Sequence, residues 1–98
     1  MTPLRSRAYL EFVRQHPCVF CPASGEGIHA HHHGRRRGGG GMGIKPCDLF
    51  TVPLCHLHHG ELHKRGAVEP FSRAETQAAI DSAMILLLRS ALIEKLEL

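Results

Sequence analysis

Two short pairs of cysteine and histidine residues have the spacing of metal ligands. Cys18 and Cys21 enclose two residues, and Cys55 and His58 repeat that spacing further along the chain. Two such pairs can close one tetrahedral site, so these four side chains predict a structural zinc ion. A redox dithiol shares the first spacing, but the βαβ pattern that it requires is missing here. Cys47 lies outside both pairs and is interpreted as a plain buried or half-buried thiol.

A group of histidines predicts a second metal site. Three consecutive histidines, His31–His33, end a predicted strand, and His59 and His63 are four residues apart on a predicted helix. Residues at that spacing lie on one helix face, one turn apart. His58 is rotated by roughly 100° from His59, so the helix can offer the two residues to different ions. A polar surface cluster is the plainer alternative, which six histidines at these spacings disfavour.

The segment His59–His63 also contains the residue types of a zincin peptidase. In the zincin pattern a glutamate directly follows the first histidine. Here Gly60 occupies that position, and Glu61 lies one residue later on a different face of the helix. The spacing therefore argues against a peptidase of that kind.

Charge is distributed unevenly along the 98 residues, a length that suits one domain. The formal net charge is +3, yet residues 1–66 carry +5 and residues 67–98 carry −2. The basic part also holds the metal-ligand residues, which suits a polyanionic partner such as nucleic acid, although a solvated basic surface gives the same balance. The residues expected to contact backbone phosphates are Arg35, Arg36, Arg37 and Lys45.

No secretory signal is visible near the start of the sequence. The most apolar stretch, Ala83–Leu88, is six residues long, whereas a membrane-spanning helix needs about 20. We therefore expect a soluble, cytoplasmic protein with no membrane partner. In a reducing compartment the cysteines are better interpreted as metal ligands than as disulfides.

The predicted elements define an α+β fold in a single domain, 1–98. A core at 18–63 precedes a long C-terminal helix at 72–97, which opens with the capping-box pattern Ser72-Arg-Ala-Glu75. The expected elements are a helix at 6–15, strands at 28–33 and 49–54, a helix at 56–65 and the long helix from 72 to about 96.

The long C-terminal helix is apolar on every side near its middle, which predicts burial on more than one face. One apolar stripe is expected to cover the domain core and the other to meet a second subunit, giving a homodimer. The first stripe comprises Ile80, Met84, Leu87 and Ala91, and the second comprises Ile85, Leu88 and Leu92.

The motifs between Cys18 and His63 resemble the HNH endonuclease superfamily, also called ββα-metal or His-Me finger. The similar segments are His31–His33, Gly41-Met-Gly-Ile-Lys-Pro-Cys-Asp48 and Pro53-Leu-Cys-x2-His-His-x3-His63. The subgroup that they resemble contains phage recombination-enhancement nucleases and prophage domains of unknown function. The resemblance implies a small zinc-bound, treble-clef-like ββα-metal core.

The resemblance also implies roles for individual residues. In this superfamily the first of two adjacent histidines binds the catalytic metal and the second is the general base. That assigns His31 as ligand and His32 as base, with His32 and His33 as the alternative pair. His59 and His63 match the helix ligands. The asparagine of the family has no match, and Asp48 lies near its place. The implied catalytic residues are thus His32, His33 and Asp48, and the implied ligands of the second metal are His31, His59 and His63.

The function implied by the resemblance is metal-dependent hydrolysis of phosphodiester bonds in nucleic acid, DNA in preference to RNA, with weak sequence preference. The catalytic divalent ion would be Mg, Mn, Ni, Co or Zn, since three imidazoles suit the transition metals at least as well as Mg. Two other classes stay open. One is a catalytically inactive zinc module that binds nucleic acid or a recombination protein, and the other is a structural protein built on the C-terminal helix.

Overall fold

The computed structural model describes residues 5–33 and 47–94, which form an α+β fold of three helices and one two-stranded antiparallel sheet. This confirms the expected fold class. The elements in chain order are α1 (Arg7–Arg14), β1 (Ile28–His32), β2 (Thr51–Cys55), α2 (His56–Arg65) and α3 (Arg73–Ile93).

The first helix, α1, begins and ends where the sequence indicates. Ser6 is its N-cap, and the Ser6 hydroxyl accepts a hydrogen bond from the Tyr9 amide at 3.1 Å. The side chains of Tyr9, Phe12 and Val13 are buried, whereas those of Arg7 and Arg14 are exposed. Burial of the apolar side fixes α1 against the sheet.

The two strands pair with Ile28 opposite Cys55 and His32 opposite Thr51. Alternation along β1 therefore places His29 and His31 on one face and His32 on the other. The predicted bounds need correction at both strands, because β1 ends at His32 rather than 33 and β2 spans Thr51–Cys55 rather than 49–54. Residues 48–50 form a turn instead, closed by a hydrogen bond from the Phe50 amide to the Cys47 carbonyl at 2.9 Å.

The second helix follows β2 without a loop, because Cys55 both ends the strand and caps the helix. Its thiol accepts a hydrogen bond from the His58 amide. Gly66 ends the helix in the left-handed conformation, with φ at 70°, which glycine adopts without steric cost. The predicted helix at 56–65 is thus confirmed at both ends.

The third helix opens with the predicted capping box, in which Ser72 and Glu75 exchange side-chain and backbone hydrogen bonds. Its assigned end is Ile93, short of the predicted 96, and residues 95–98 lie outside the described part of the chain. The first of the two predicted apolar stripes, here called the inner stripe, faces the core, and its buried members are Ile80, Leu87 and Ala91.

The second predicted stripe of α3, here called the outer stripe, differs from the prediction at Leu88. Leu88 is half-buried against the core, since it lies one turn from Met84 and Ala91 on the inner side. The exposed apolar side chains of this helix are Ile85, Leu86, Leu92 and Ile93. By length and composition α3 could also cross a membrane, a test that a core helix of a soluble protein passes as well. The expectation from the six-residue apolar stretch thus understated how far the apolar segment extends.

Candidate metal centres

Four predicted zinc ligands lie together where the turn at residues 18–23, here called the cysteine turn, meets the end of the sheet. The ligand atoms of Cys18, Cys21, Cys55 and His58 all lie within 4.8 Å of one another. The Cys21 and Cys55 sulfurs are 3.8 Å apart, and His58 Nδ1 lies 3.5 Å from Cys18 Sγ and 3.2 Å from Cys55 Sγ. No disulfide joins them. This Cys3His cluster could hold a metal ion.

Backbone hydrogen bonds fix the cysteine turn to the sheet. The Cys18 amide donates to the Ala23 carbonyl at 2.9 Å, which closes the turn. The Val19 amide donates to the Pro53 carbonyl at 3.0 Å, which joins the turn to β2. The sulfurs of the first pair therefore face Cys55 and His58, although the two pairs are far apart in sequence.

Backbone amides near the cluster favour thiolate at Cys55. Burial opposes ionisation of this thiol, but the His58 amide and the neighbouring Cys21 and Cys18 thiols outweigh it and lower its pKa. At Cys18, deeper burial raises the pKa even though the Phe20 amide points at its sulfur. A bound cation would remove that penalty, because coordination stabilises thiolate directly.

A second cluster contains three of the predicted histidines. The ligand atoms of His31, His59 and His63 lie within 4.8 Å of one another, and the Nε2 atoms of His59 and His63 are 3.1 Å apart. Burial, followed by the charges of His59 and His63, lowers the pKa of His31 to about 3. Burial and His63 also lower the pKa of His59. Imidazoles with lowered pKa are neutral at pH 7, the state that binds a metal.

His32 points to the opposite face and meets a buried carboxylate. His32 Nε2 lies 2.8 Å from Asp48 Oδ1. Asp48 is 4% exposed and also accepts hydrogen bonds from the Ser6 amide at 2.8 Å and from Arg5 at 3.3 Å. Burial would raise the pKa of Asp48, but the hydrogen bonds from His32 and Ser6 lower it overall. Asp48 is therefore an ionised partner that orients the His32 ring.

The third member of the triplet, His33, has a different partner again. Its Nε2 lies 3.2 Å from Asp81 Oδ1, on α3. Its ring centroid is 6.3 Å from that of His31. The structure therefore separates the three consecutive histidines into a cluster member, a partner of Asp48 and a partner of Asp81.

Sequence reasoning missed two histidines beside the second cluster. His29 Nδ1 lies 3.3 Å from His59 Nδ1, and the ring of His56 packs 5.8 Å from that of His29. The signal was available for His29, because period-two alternation puts it on the same face of β1 as His31. The predicted phosphate contacts Arg35, Arg36, Arg37 and Lys45 lie outside the described residues.

The fold and both clusters define a small α+β protein with two candidate metal centres, one within the β1–β2–α2 unit and one where the Cys18–Cys21 pair meets that unit. The chain belongs to the DUF968 family, described as a protein of unknown function, which it matches over residues 1–73. Both clusters fall within that match, whereas nearly all of α3 lies beyond it.

A relative of similar sequence is the uncharacterized protein YdfU of Escherichia coli (strain K12). It is 46% identical over 55 residues, which cover 56% of this chain. The chain spans only 15% of the length of YdfU. No solved structure matches the chain.

Proposed function

We propose that this chain is an HNH-type endonuclease, which uses a divalent metal to hydrolyse phosphodiester bonds in nucleic acid. One observation carries the proposal. A histidine of the three-imidazole cluster is followed in sequence by a histidine whose ring contacts a carboxylate. His31 belongs to the cluster, and His32 is bound to Asp48. Metal-assisted hydrolysis requires a ligand set and an oriented base, and here two neighbouring residues of β1 supply them from opposite faces of the strand.

The Cys3His cluster is assigned to structural zinc within a treble-clef-like ββα-metal core. Two thiolates bound tetrahedrally at about 2.3 Å from one zinc lie about 3.8 Å apart, and a sulfur and an imidazole nitrogen lie about 3.5 Å apart. The Sγ atoms of Cys21 and Cys55 are 3.8 Å apart, and His58 Nδ1 lies 3.5 Å from Cys18 Sγ and, closer than that separation, 3.2 Å from Cys55 Sγ. Four protein ligands leave no open position, so this ion stabilises the fold and does not react.

The histidine cluster is assigned to the catalytic ion, which would be Mg, Mn, Ni, Co or Zn. Two imidazole nitrogens on one such ion lie roughly 3.0–3.4 Å apart, which fits the 3.1 Å between His59 and His63. Three protein ligands would leave positions for water and a phosphate oxygen. When bound, the ion would stabilise negative charge on the phosphate and on the leaving oxygen.

His32 is assigned as the general base. Because Asp48 engages Nε2, the ring keeps its hydrogen there and leaves Nδ1 to take a proton from water. No group in the described part of the chain occupies that nitrogen. The orienting carboxylate also stabilises the imidazolium that forms after proton transfer, as an ionised Asp does in other His–Asp pairs.

The substrate is assigned as DNA in preference to RNA, held largely without regard to sequence. The supporting observation is the +5 charge of residues 1–66, which include Arg35, Arg36, Arg37 and Lys45. Contacts from Arg and Lys to phosphates position a nucleic acid but carry no base information. A cytoplasmic location is part of this proposal, since a reducing compartment keeps the cysteines available for zinc.

A plasmid-nicking assay tests the proposal. Purified protein should nick supercoiled plasmid with added divalent ion, and chelator should stop the reaction. His32→Ala should retain both metals but lose hydrolysis by roughly 10²–10⁴ in rate, whereas His63→Ala should lose affinity for the catalytic ion alone. A wild-type protein that cuts neither DNA nor RNA with any of the five ions would overturn the proposal. Retained nucleic-acid binding would then favour the inactive zinc module.

A further inference from the structure

We propose that His29 is a positioning residue for the catalytic metal, accepting a hydrogen bond from His59 that fixes which nitrogen of His59 faces the ion. This role rests on the proposed catalytic metal centre. His29 itself lies outside the set of converging ligand atoms, which comprises His31, His59 and His63. It would therefore act through His59 and not as a further ligand.

The geometry gives the two nitrogens of His59 different neighbours. Its Nε2 lies 3.1 Å from His63 Nε2, on the side where the cluster converges. Its Nδ1 lies 3.3 Å from His29 Nδ1, on the other side. The two rings meet edge-on at 64°, with centroids 5.1 Å apart, so the edge of one ring approaches the other. The His59 ring therefore lies between His29 and the other two residues of the histidine cluster.

The tautomer of His59 follows from this arrangement. A neutral imidazole carries one hydrogen, so binding an ion through Nε2 requires the hydrogen on Nδ1. Nδ1–H then needs an acceptor, and a histidine that ligates a metal almost always donates its second nitrogen to such a partner. His29 Nδ1 is the acceptor within reach, which requires His29 to carry its own hydrogen on Nε2.

The position of His29, the partner of His59, is fixed by strand β1. His29 is in β1, opposite Leu54 of β2, and Leu54 is fully buried. His31, a proposed ligand, lies two residues along on the same face. A single stretch of strand therefore positions one ligand directly and a second ligand through His29. The ring of His56 lies 5.8 Å from that of His29 and its charge acts on His59, but within the described residues it makes no hydrogen bond to a proposed ligand.

Three variants test the role of His29. His29→Ala removes the acceptor, whereas His29→Asn can place a carbonyl oxygen near the position of Nδ1. His56→Ala is the matched control, because it removes a neighbouring imidazole without removing an acceptor for His59. Each protein is first loaded with zinc at the Cys3His cluster and checked for native circular dichroism. Co²⁺ is then titrated into the histidine cluster and followed by its visible absorption.

We expect His29→Ala to weaken Co²⁺ binding by about 10–100-fold, the effect typical of losing such a partner. His29→Asn should recover most of that loss, and His56→Ala should bind as wild type does. In ¹⁵N spectra of the zinc-loaded protein without Co²⁺, His59 should carry its hydrogen on Nδ1 in the wild type and lose that preference in His29→Ala.

Two outcomes would overturn the assignment of His29 alone. One is wild-type Co²⁺ affinity in His29→Ala, and the other is a folded His29→Asn that binds as weakly as His29→Ala. Failure of the wild-type protein to bind Co²⁺ at the three imidazoles is a different result, because it removes the proposed metal centre and the role of His29 with it.

Discussion

At the scale of single residues, the sequence predicted the ligand types but not the partners that distinguish them. His31, His32 and His33 are equivalent by composition, and the resemblance left open which two of them act. The structure separates them because Asp48 and Asp81 come from 16 and 48 residues away along the chain. Such contacts depend on how the helices pack, which no local pattern specifies. His29, in contrast, could have been found by alternation along the strand.

Replacing Asp48 by asparagine should stop hydrolysis without removing either metal. The Ser6 amide donates to Asp48 Oδ2 at 2.8 Å, so an amide at this position must keep its oxygen there and turn its NH₂ toward His32. His32 Nε2 would then have to accept, which moves the ring hydrogen to Nδ1, the proposed proton acceptor. We expect Asp48→Asn to lower kcat by roughly 10²–10⁴, with metal content unchanged.

The control for that variant is Asp81→Asn, which changes the carboxylate that contacts His33 instead. Plasmid cleavage by Asp81→Asn should stay within a few-fold of wild type. The reverse pattern, with Asp48→Asn active and Asp81→Asn inactive, would transfer the role of base from His32 to His33.

Metal affinity at the histidine cluster should depend less steeply on pH than it would with three ordinary histidines as ligands. Protons compete with a metal for imidazoles below about pH 6.5, the ordinary pKa of histidine. Burial lowers the pKa of His31 to about 3, so His31 stays neutral and releases no proton when the ion binds near pH 5. We expect at most two protons, not three, to be released per Co²⁺ bound between about pH 5 and 6.5. The slope of log affinity against pH measures this number, and a slope near three would contradict it.

At the scale of elements, the sequence predicted the helices better than the strands. Capping patterns and a stop glycine are local, so α2 and the start of α3 were predicted correctly. The start of β2 was placed two residues too early, because Leu49 and Phe50 are apolar enough for a strand. The Asp48–Phe50 turn forms instead, and the contacts of Asp48 with Ser6 and His32 hold it in place.

The glycine inside α2 and the glycine that caps its C-terminal end should respond oppositely to replacement by alanine. Gly60 lies inside the helix, and a Cβ there would meet nothing within 4 Å. Gly60→Ala should therefore raise the free energy of unfolding by about 0.5–1 kcal/mol. Gly66 has φ at 70°, and its added Cβ would lie 3.3 Å from Arg73 Nε. Gly66→Ala should lower the free energy of unfolding by about 1–2 kcal/mol. Urea denaturation of the zinc-loaded proteins measures both, and a destabilised Gly60→Ala would disprove the first.

At the scale of the whole molecule, zinc should decide whether the chain folds. The Cys3His cluster joins Cys18 and Cys21 to the end of β2 and the first turn of α2, and no disulfide links these two parts of the chain. In a domain this small the energy of binding the ion is largely folding energy. We expect Cys21→Ser to be unfolded or insoluble, whereas Cys47→Ser, outside the cluster, should fold with one zinc bound. Native circular dichroism and melting in Cys21→Ser would refute the dependence on zinc.

The exposed side of α3 is expected to form a homodimer. Ile85 and Leu92, and likewise Leu86 and Ile93, are seven residues apart, the repeat of a seam between two packed helices. In a dimer with two-fold symmetry the same surface of each subunit meets its copy, so this stripe would form both sides of the interface. Because Leu88 is half-buried against the core, Ile85 is the informative position, being 62% exposed. Ile85→Glu should dissociate the dimer in sedimentation experiments and leave the fold intact. Gln77→Glu adds the same charge on this helix outside the stripe and should remain dimeric. A wild-type protein that sediments as a well-behaved monomer at high micromolar concentration would overturn the homodimer.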